Sequence, residues 1–415
     1  MRRSPYAWSL IDQGLSSGTT LLFTAIAARN LGPAGLGTVA LGYAALLIAV
    51  GFERALIIDP LLTRIQTSAR SAGEALRAAV SATTSGGLVL TLVAVAVGLS
   101  ASGAGARGLL IFAPWVAPVL VHSLLKAWLY REERGGIATL SSAVWLAAML
   151  LGVFAGLGDT DWQITAAWGT GACAALAVTA VGTRHSVRLT GPRATVAWVR
   201  HEALSIGLWR VASSMVFSAA DYGRVAGISS ILGPAAVGGY RAIETVFAPT
   251  SLIGPALTSS GLPPLRTSVE EQAARTWSLA VRISILGTAL LVAYVVVVVL
   301  AKDEVIRIFG AEFDEYENLI PPMIVGQLLT GSAVGFGLLL AAARQVRELA
   351  FITVVHAVLM LGLALPLAAA RGLEAAAWGI AAAELVPLVM VVVLARRVVT
   401  TFAQRPTPDV AGSDA

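Results

Sequence analysis

Residues 8–44 read WSLIDQGLSSGTTLLFTAIAARNLGPAGLGTVALGYA. An apolar run of membrane-spanning length leads into the turn sequence LGPAGLG at 31–37, and a second apolar run follows directly. A similar turn, LGPAAVG, recurs at 232–238, and AAWG at 166–169 recurs at 376–379. The offsets of 201 and 210 residues indicate one duplication of a unit of about six helices. An even number of crossings returns the chain to its starting side, so the copies are expected to be parallel repeats related by an axis along the membrane normal.

The composition indicates a polytopic membrane protein. Hydrophobic residues make up 57% of the 415 residues and charged residues 13%, against roughly 25% charged in soluble proteins. This balance excludes ordinary soluble enzymes and disordered chains. The single Cys173 excludes a scaffold held by intrachain disulfides. The net charge of +5 comes from scattered basic residues without a dense run, so no nucleic-acid partner is expected.

Apolar windows between charged residues, Gly and Pro predict twelve transmembrane helices. The predicted spans are 8–28, 37–58, 80–100, 108–129, 137–157, 163–182, 205–230, 236–260, 276–300, 319–342, 349–369 and 375–395. They group into an N-terminal six-helix lobe at 1–182 and a C-terminal six-helix lobe at 205–400. A cytoplasmic linker at 183–204 and a disordered cytoplasmic tail at 401–415 complete the predicted organisation.

The basic residues predict the orientation. With the N-terminus inside, 19 of the 29 Lys and Arg residues fall on the cytoplasmic side, Lys126 among them. The outer side receives five: Arg29, Arg107, Lys302, Arg307 and Arg371. Because cytoplasmic loops are enriched in Lys and Arg, both termini are expected in the cytoplasm of a multi-pass protein of the inner, cytoplasmic membrane. The longest outer loop, KDEVIRIFGAEFDEYEN, is acidic.

Ionisable and polar residues inside the spans predict a central cavity. Asp12, Ser16 and Thr19 share one face of the first span, and such a face lines a cavity or packs helices together. In the seventh span Arg210, Ser214, Asp221 and Arg224 lie within roughly 80° of arc on a helical projection.

Two pairs in these spans have the spacing of ion pairs. Asp221 and Arg224, like Arg241 and Glu244 in the eighth span, are three residues apart and can pair on one face. The alternative for Asp221 and Arg224 is a structural ion pair that only joins two helices, and the alternative for Arg241 and Glu244 is a place at the membrane interface.

The clustering of charge in the first, second, seventh and eighth spans fits a cavity lined by the first hairpin of each repeat. Arginine offers a permanent charge and a fork that matches phosphate oxygens, so the cavity is suited to an anionic group such as a pyrophosphate. Glu53 and Arg54 are expected at the interface, and His122 and His356 as packing residues. Glu384, near Pro387, can satisfy a broken helix or coordinate an ion.

Motifs for catalysis or ATP hydrolysis are missing from the sequence. It contains no HExxH, no P-loop and no CxxC, and the loops leave little room for a catalytic domain. We therefore expect neither an enzyme nor an ATP-driven pump, and no cofactor or metal site.

Four segments carry a resemblance to a known family. They are AARNLGPAGLG within residues 8–44, SAADYGRVAGISSILGPAAVGGYRA at 218–242, IFGAEFDEYENLIPPMIVGQLL at 308–329 and RGLEAAAWGIAAAELV at 371–386. Together they resemble polysaccharide biosynthesis and export proteins of the multidrug/oligosaccharidyl-lipid/polysaccharide exporter superfamily. Two positions depart from the family pattern: Leu36 stands where Phe is common, and Gly223 separates Tyr222 from Arg224.

The resemblance implies an all-α polytopic transporter with two six-helix lobes forming a V. It implies an alternating-access flippase that moves a polyprenyl-pyrophosphate-linked oligosaccharide to the outer leaflet, with membrane lipids, a polysaccharide polymerase and glycosyltransferases as partners. By analogy the substrate-cavity candidates are Asp12, Arg210, Asp221, Arg224, Arg241 and Glu244.

Other functions stay open at this point. One is a cation-coupled multidrug antiporter of the same superfamily, which would want acidic cavity residues and fewer arginines. Another is a peptidoglycan-precursor flippase, a group that usually carries about two extra helices. The third is a non-transporting membrane component of a polysaccharide synthesis complex, which would need no charged cavity.

Overall fold

The computed structural model describes residues 5–63, 69–183, 189–271 and 275–403. Within these ranges the side chains of 5–6, 69–71, 202, 205–214, 251, 259 and 402–403 lie outside the description. The regular structure of the described residues is entirely helical, without a β-strand. The fold is therefore the all-α polytopic class that the composition and hydropathy predict.

Seventeen α-helices follow one another along the described chain. Their bounds are α1 Pro5–Glu53, α2 Asp59–Thr63, α3 Ala69–Ser100, α4 Ala104–Phe112, α5 Val116–Arg131, α6 Gly135–Phe154, α7 Asp161–Gly182, α8 Pro192–Trp198, α9 Leu204–Leu232, α10 Pro234–Val246, α11 Ile253–Glu270, α12 Thr276–Leu300, α13 Lys302–Arg307, α14 Ile320–Ala342, α15 Val346–Arg371, α16 Leu373–Ala383 and α17 Leu385–Ala403. π-Helical turns occupy Arg54–Ile58 and Val199–Ala203, and 3₁₀ segments occupy Ala113–Trp115, Ala248–Leu252 and Ala311–Leu319.

Each of the twelve predicted spans lies on helix. Nine helices in the described part of the chain are long and apolar enough to cross a membrane, and the first of them, Ala7–Thr63, contains two predicted crossings. The seventh and eighth predicted spans fall outside these nine. The eighth is divided between α10 and α11 by the 3₁₀ segment Ala248–Leu252, which shortens its continuous apolar helix.

The duplicated LGP sequences form equivalent turns. Gly32 divides α1 into 5–31 and 33–53 and has φ +63°, while Gly233 between α9 and α10 has φ +87°. Side chains other than glycine rarely adopt this left-handed conformation, and the Pro that follows each Gly starts the next helix. The two copies therefore make the same sharp reversal at the same end of the bundle.

A second pair of loops, without sequence similarity, repeats the same backbone. Glu133 and Arg344 both have φ +58°. The next residue in each loop closes the turn: the Arg134 N–H donates to the Leu129 carbonyl at 2.8 Å, and the Gln345 N–H donates to the Leu340 carbonyl at 2.9 Å. The offset of 211 residues agrees with the duplication inferred from the sequence.

The helices pack as two groups that meet along α1. Here α1–α7 are called the N-lobe and α9–α17 the C-lobe. Within the N-lobe α1 packs on α4, α6 and α7, and within the C-lobe α14 packs on α11, α12, α16 and α17. The seam between the lobes consists mainly of α1 against α10 and α9.

The lobes are in close contact where Gly32 and Gly233 lie, called here the Gly32 end. A Cβ added to Gly37 would lie 1.8 Å from the Pro234 carbonyl oxygen, and one added to Gly238 would lie 1.9 Å from the Pro33 carbonyl oxygen. These reciprocal contacts between the two LGP copies are what a two-fold relation between repeats requires. The predicted orientation places this end outside.

The acidic loop at residues 302–318 packs over the Gly32 end. Phe309 and Phe313 in this loop are buried in the hydrophobic core together with α1 and α10 residues. The Lys302 ammonium bonds to the Glu317 carboxylate, and this bond raises the pKa of Lys302 above its ordinary value. The sequence indicated only an acidic loop, whereas the structure shows a packed cap.

The structure describes part of the predicted linker and the start of the predicted tail. The linker region 183–204 contains α8 and a π turn, and the backbone N–H of Thr190 donates to the Ser81 hydroxyl of α3 at 2.7 Å. Hence this segment is packed on the N-lobe. Helix α17 continues to Ala403, three residues into the predicted tail, and residues 404–415 lie outside the described residues.

Candidate functional site

A charged cluster joins α9 to α10. The guanidinium of Arg224 donates to the Asp221 carboxylate at 2.6 Å and to the Glu244 carboxylate at 3.1 Å. It also lies 4.7 Å from the centroid of the Tyr240 ring, and the residue is only 4% exposed. Within the described chain its Nε and Nη1 have no hydrogen-bond partner. Arg224 is thus the buried centre of the cluster and keeps unused donors.

Arg241 connects this cluster to the other lobe. Its Nη1 donates to the second oxygen of Glu244 at 2.8 Å. Its guanidinium lies 5.3 Å from the ring centroid of Tyr43, which belongs to α1. A cation over an aromatic face gains electrostatic attraction, so Arg241 links the lobes at the seam.

Arg241 and Glu244 lie on the wall of a cavity between the lobes, with a volume of about 350 Å³. This inter-lobe cavity is lined by Thr20, Arg241, Glu244, Thr245, Phe247, Ala248, Thr250, Ile253, Gly254, Leu291, Gln327, Thr330, Gly331 and Val334. The wall combines one ion pair with several hydroxyl and amide groups on an otherwise apolar surface. Thr20 belongs to the N-lobe and the other lining residues to the C-lobe.

The cavity lies beside a separation between α1 and α11. Helix α11 packs on α12, α14 and the 3₁₀ segment before it, and in the described chain it has no packing of comparable extent on the N-lobe. The 3₁₀ segment Ala248–Leu252, which contains Pro249, separates α11 from α10, the helix that carries Arg241 and Glu244. Residues on both sides of the gap are exposed, such as Leu10 and Gly14 on α1 and Thr258 and Ser260 on α11. Helices α1 and α11 are therefore not packed on each other here, whereas the π turn Arg54–Ile58 of the N-lobe packs on α9 at the end opposite Gly32.

A separate polar cluster lies inside the N-lobe. The Asp12 carboxylate is 2.8 Å from the Lys126 ammonium and accepts a hydrogen bond from the Ser142 hydroxyl at 2.6 Å. Next to it is a small cavity of about 140 Å³. Its lining residues are Ser16, Thr19, Thr20, Tyr43, His122, Lys126, Ser142, Trp145 and Trp168. Asp12 is thus neutralised within one lobe.

The structure places the predicted site residues in three different settings. Arg241 and Glu244 line the inter-lobe cavity, and Asp221 and Arg224 form the expected pair behind them. Asp12 is not among the residues lining that cavity, because Lys126 and Ser142 hold it in the N-lobe. The backbone of Arg210 belongs to α9, but its side chain lies outside the described residues.

The charge of the cavity wall also differs from the expectation of an arginine-rich site. Arg224 and Arg241 are balanced by Asp221 and Glu244, so the cluster is neutral as a whole. An incoming anion would have to take over part of the bonding that Glu244 now provides. The spacing of three residues predicted each local pair, but it gave no sign that Glu244 joins both arginines.

Burial separates polar residues that the sequence treated alike. Glu53 is 3% exposed, whereas the neighbouring Arg54, also expected at the interface, is exposed. Lys126 binds Asp12 in the N-lobe interior, although its charge was attributed to the cytoplasmic surface. The available signal was its position inside the fourth predicted span, four residues or about one helical turn after His122.

The two histidines that the sequence predicted as packing residues, His122 and His356, have polar partners. The His356 Nε2 lies 3.1 Å from the Glu384 carboxylate, which sits at the break between α16 and α17. The His122 Nε2 lies 3.1 Å from the Ser141 hydroxyl and packs edge-on against Trp145. The interpretation of His122 as a packing residue agrees with this contact. His356 instead pairs with the glutamate of the broken helix.

Comparison with solved structures shows the fold. An inward-facing multidrug resistance MATE family transporter of the MOP superfamily superposes with a TM-score of 0.68 at 14% identity, covering 97% of this chain and 96% of that chain. The lipid II flippase MurJ in an inward closed conformation gives 0.73 at 11% identity, covering 96% and 90%. An outward-facing MATE family transporter gives 0.57 at 15% identity, covering 95% and 94%.

No protein-family model and no curated protein sequence matches the chain. At identities of 11–15% the structural likeness establishes the shared fold alone. The two-repeat architecture of MOP superfamily transporters is therefore the fold of this protein.

Proposed function

We propose that this protein is a membrane flippase that moves a polyprenyl-pyrophosphate-linked oligosaccharide across the cytoplasmic membrane by alternating access. The observation that carries the proposal is Arg241, a cavity-lining arginine at the seam of two lobes that are closed at one end and separated beside α11. The fold supports the coarser part of this statement, a membrane transporter. The chemistry of the cavity supports the proposed substrate.

Arg241 has the properties needed to bind a phosphate group of the substrate. It is partly exposed to the cavity, and the one carboxylate that it binds among the described residues, Glu244, is shared with Arg224. If a pyrophosphate oxygen replaced Glu244 at Arg241, Glu244 would remain bound to Arg224, so no carboxylate would be left without a partner. Arginine is suited to this exchange because its planar guanidinium can donate two parallel hydrogen bonds to phosphate oxygens.

The rest of the cavity wall suits sugar hydroxyls. Thr20, Thr245, Thr250, Gln327 and Thr330 provide hydroxyl and amide groups. In this proposal the adjoining gap between α1 and α11 opens to the bilayer. A lipid-linked substrate could therefore place its headgroup in the cavity while its tail stays in the hydrocarbon.

The close packing of the lobes at the Gly32 end is consistent with the inward-facing state of an alternating-access cycle. The chain superposes better on the inward-facing MATE family transporter than on the outward-facing one, with TM-scores of 0.68 and 0.57. In the predicted orientation, the open side is then the cytoplasmic side, where a lipid-linked precursor would be loaded. Release would require the contacts at the Gly32 end to separate.

Multidrug transport is the competing function, because MATE family transporters share the fold. An antiporter for organic cations would favour an acidic cavity, whereas Arg241 would repel a cation at this wall. Glu244 alone offers a negative group there, and it is already bound to two arginines. The ion-pair geometry therefore favours the anionic substrate.

Reconstituted protein tests the proposal. Proteoliposomes would contain a fluorescent polyprenyl-pyrophosphate-linked disaccharide, and its transfer between leaflets would be followed by chemical quenching from outside. We expect transfer by the wild-type protein, a loss of about tenfold or more for Arg241→Ala, and unchanged transfer for Arg266→Ala, an exposed arginine on α11 paired with Glu270.

A parallel assay with a lipophilic cation separates the two functions. We expect no cation transport by the wild-type protein. Cation transport together with absent glycolipid transfer would overturn the flippase proposal in favour of the antiporter. Equal glycolipid transfer by wild type and Arg241→Ala would remove Arg241 from the substrate site.

A further inference from the structure

A second groove, separate from the inter-lobe cavity, lies on the surface of the C-lobe. It runs between α15 and α17 at the end opposite Gly32 and has a volume of about 480 Å³. It is lined by Arg347, Glu348, Phe351, Val389, Met390, Val393, Leu394 and Arg397. None of these residues lines the inter-lobe cavity.

The groove changes from charged to apolar along its length. Arg347 and Arg397 lie near the helix ends, whereas Val389 is eight residues before Arg397. At 1.5 Å per residue this places the apolar part about 12 Å deeper along the helix axis. Phe351 is 60% exposed and Val389 is 53% exposed, so the deeper part of the groove has an exposed apolar surface. The two parts match the polar and apolar halves of a membrane lipid.

The arginines at the groove are not neutralised by the protein. Arg344, Arg347, Arg396 and Arg397 are exposed and form no ion pair with any described residue. The one acidic side chain, Glu348, faces the Gln345 amide at 3.0 and 3.1 Å. Charge at this surface is therefore clearly positive.

Other arginines at the same end behave differently. Arg266 pairs with Glu270 at 3.2 Å, and Arg275 pairs with Glu271 at 3.3 Å. Both pairs flank the turn between α11 and α12. Each of these arginines is paired with a carboxylate four residues away along the chain. The exposed arginines at the α15–α17 groove thus differ from the paired arginines that flank the α11–α12 turn.

We propose that this groove binds an anionic phospholipid of the surrounding bilayer, with the headgroup phosphate between Arg347 and Arg397 and an acyl chain along Phe351, Val389 and Val393. Basic pockets between helices at the cytoplasmic surface are suited to anionic headgroups. A soluble phosphate would leave the apolar part uncovered, so both parts together specify a lipid. The site is independent of the transported substrate.

Lipid retention by the purified full-length protein tests the site. The protein would be titrated with phosphatidylglycerol or phosphatidylcholine of the same acyl chains, and bound lipid would be counted by native mass spectrometry. We expect the wild-type protein to prefer phosphatidylglycerol by roughly tenfold or more, since each arginine near the surface favours an anionic lipid. The double variant Arg347→Gln/Arg397→Gln should lose this preference, and the matched double variant Arg266→Gln/Arg275→Gln should keep it.

Two further measurements test the apolar half and the source of the phosphate. Val393→Trp fills the groove while all arginines remain, so we expect it to lose bound phosphatidylglycerol as the arginine variant does. Glycerol phosphate, which carries the headgroup chemistry without acyl chains, should not displace the lipid. Equal binding of both lipids by the wild type, retention by Arg347→Gln/Arg397→Gln, or full displacement by glycerol phosphate would overturn the proposal.

Discussion

At the scale of single residues, the two arginines of the site are bound by only two carboxylates among the described residues, and one of these carboxylates is shared. Arg224 has Asp221 and Glu244, while Arg241 has Glu244 alone. Because Glu244 binds both, a change at Arg241 also alters the environment of the buried Arg224. A charge buried without a partner is costly, which explains why Arg224 lies against Tyr240 and keeps two acidic neighbours.

Glu53 is the opposite case, a buried carboxyl group without an ion-pair partner among the described residues. Only the hydroxyl of Thr83 on α3 interacts with it, and neither group has a hydrogen bond of ordinary length and angle within the described chain. The residue ends the helical part of α1, directly before the π turn Arg54–Ile58. An unsatisfied buried group of this kind lowers the stability of the fold.

We therefore expect Glu53→Gln to stabilise the purified protein by about 1–3 kcal/mol, because the amide keeps the shape of the side chain and removes the buried acid. Thermal unfolding in detergent would measure this as a higher midpoint. Glu270→Gln, at an exposed carboxylate, is the matched control and should leave the midpoint nearly unchanged. A lower midpoint for Glu53→Gln would show that the carboxyl group stabilises the protein.

At the scale of elements, the LGP turns determine how closely the lobes approach. Each turn has a glycine with positive φ, followed by a proline at the start of a helix, and a second glycine one turn further on meets the partner copy. The second glycines, Gly37 and Gly238, have no room for a side chain. Their role is close approach between backbones and not freedom of conformation.

We expect Gly37→Ala and Gly238→Ala to open the Gly32 end, since an added Cβ overlaps a carbonyl oxygen of the other lobe and overpacking costs about 1–3 kcal/mol. The measurement is labelling of a cysteine at Thr20, in a Cys173→Ala background, by an impermeant maleimide from the Gly32 side. Labelling should rise in both variants. Gly18→Ala has open space around its Cβ and should label like the parent protein. Equal labelling in all four proteins would contradict the closure role.

The repeats are alike in backbone but not in every side chain. Trp168 of the first AAWG is 5% exposed and packs with Phe23, Phe112 and Trp145, whereas Trp378 of the second is 43% exposed. The duplicated sequence therefore has an aromatic core role in one lobe only. The interior charges of the described residues are asymmetric too, since Arg224 and Arg241 lie in the C-lobe and Lys126 pairs with Asp12 in the N-lobe.

At the scale of the whole molecule, the two lobes are joined at the Gly32 end by more than the glycines. The Arg29 guanidinium at the end of the first crossing donates to the Ile308 carbonyl at 2.8 Å and to the Arg307 carbonyl at 3.0 Å. These carbonyls belong to the cap formed by residues 301–319. Arg29 therefore ties the N-lobe to the cap of the C-lobe.

We expect Arg29→Ala to loosen this connection by about 1 kcal/mol, the usual net value of such hydrogen bonds. Amide hydrogen exchange of residues 301–319 should become faster by roughly fivefold. Arg307→Ala is the matched control, because it removes only an exposed side chain bound to Glu304 and leaves the accepting carbonyl in place. Equal exchange in the two variants would show that Arg29 does not hold the cap.

Much of the architecture followed from local chemistry in the sequence. Long apolar runs predicted helices at twelve places, because a chain in hydrocarbon must satisfy its own backbone hydrogen bonds. The two LGP copies predicted the duplication. The three-residue spacing predicted the pairs Asp221–Arg224 and Arg241–Glu244, since neighbours on one helix depend only on helix geometry.

The site itself depended on contacts between distant parts of the chain. The sequence could not indicate that Lys126 neutralises Asp12, that Glu244 serves two arginines, or that Tyr43 of one lobe lies under Arg241 of the other. Nor could it separate the buried Glu53 from the exposed Arg54 beside it. The sequence alone therefore determined a duplicated helical membrane protein with charges in its spans. Only the tertiary structure decided which charges cancel and which line a cavity, because pairing between helices is set by how the lobes pack and not by spacing along one helix.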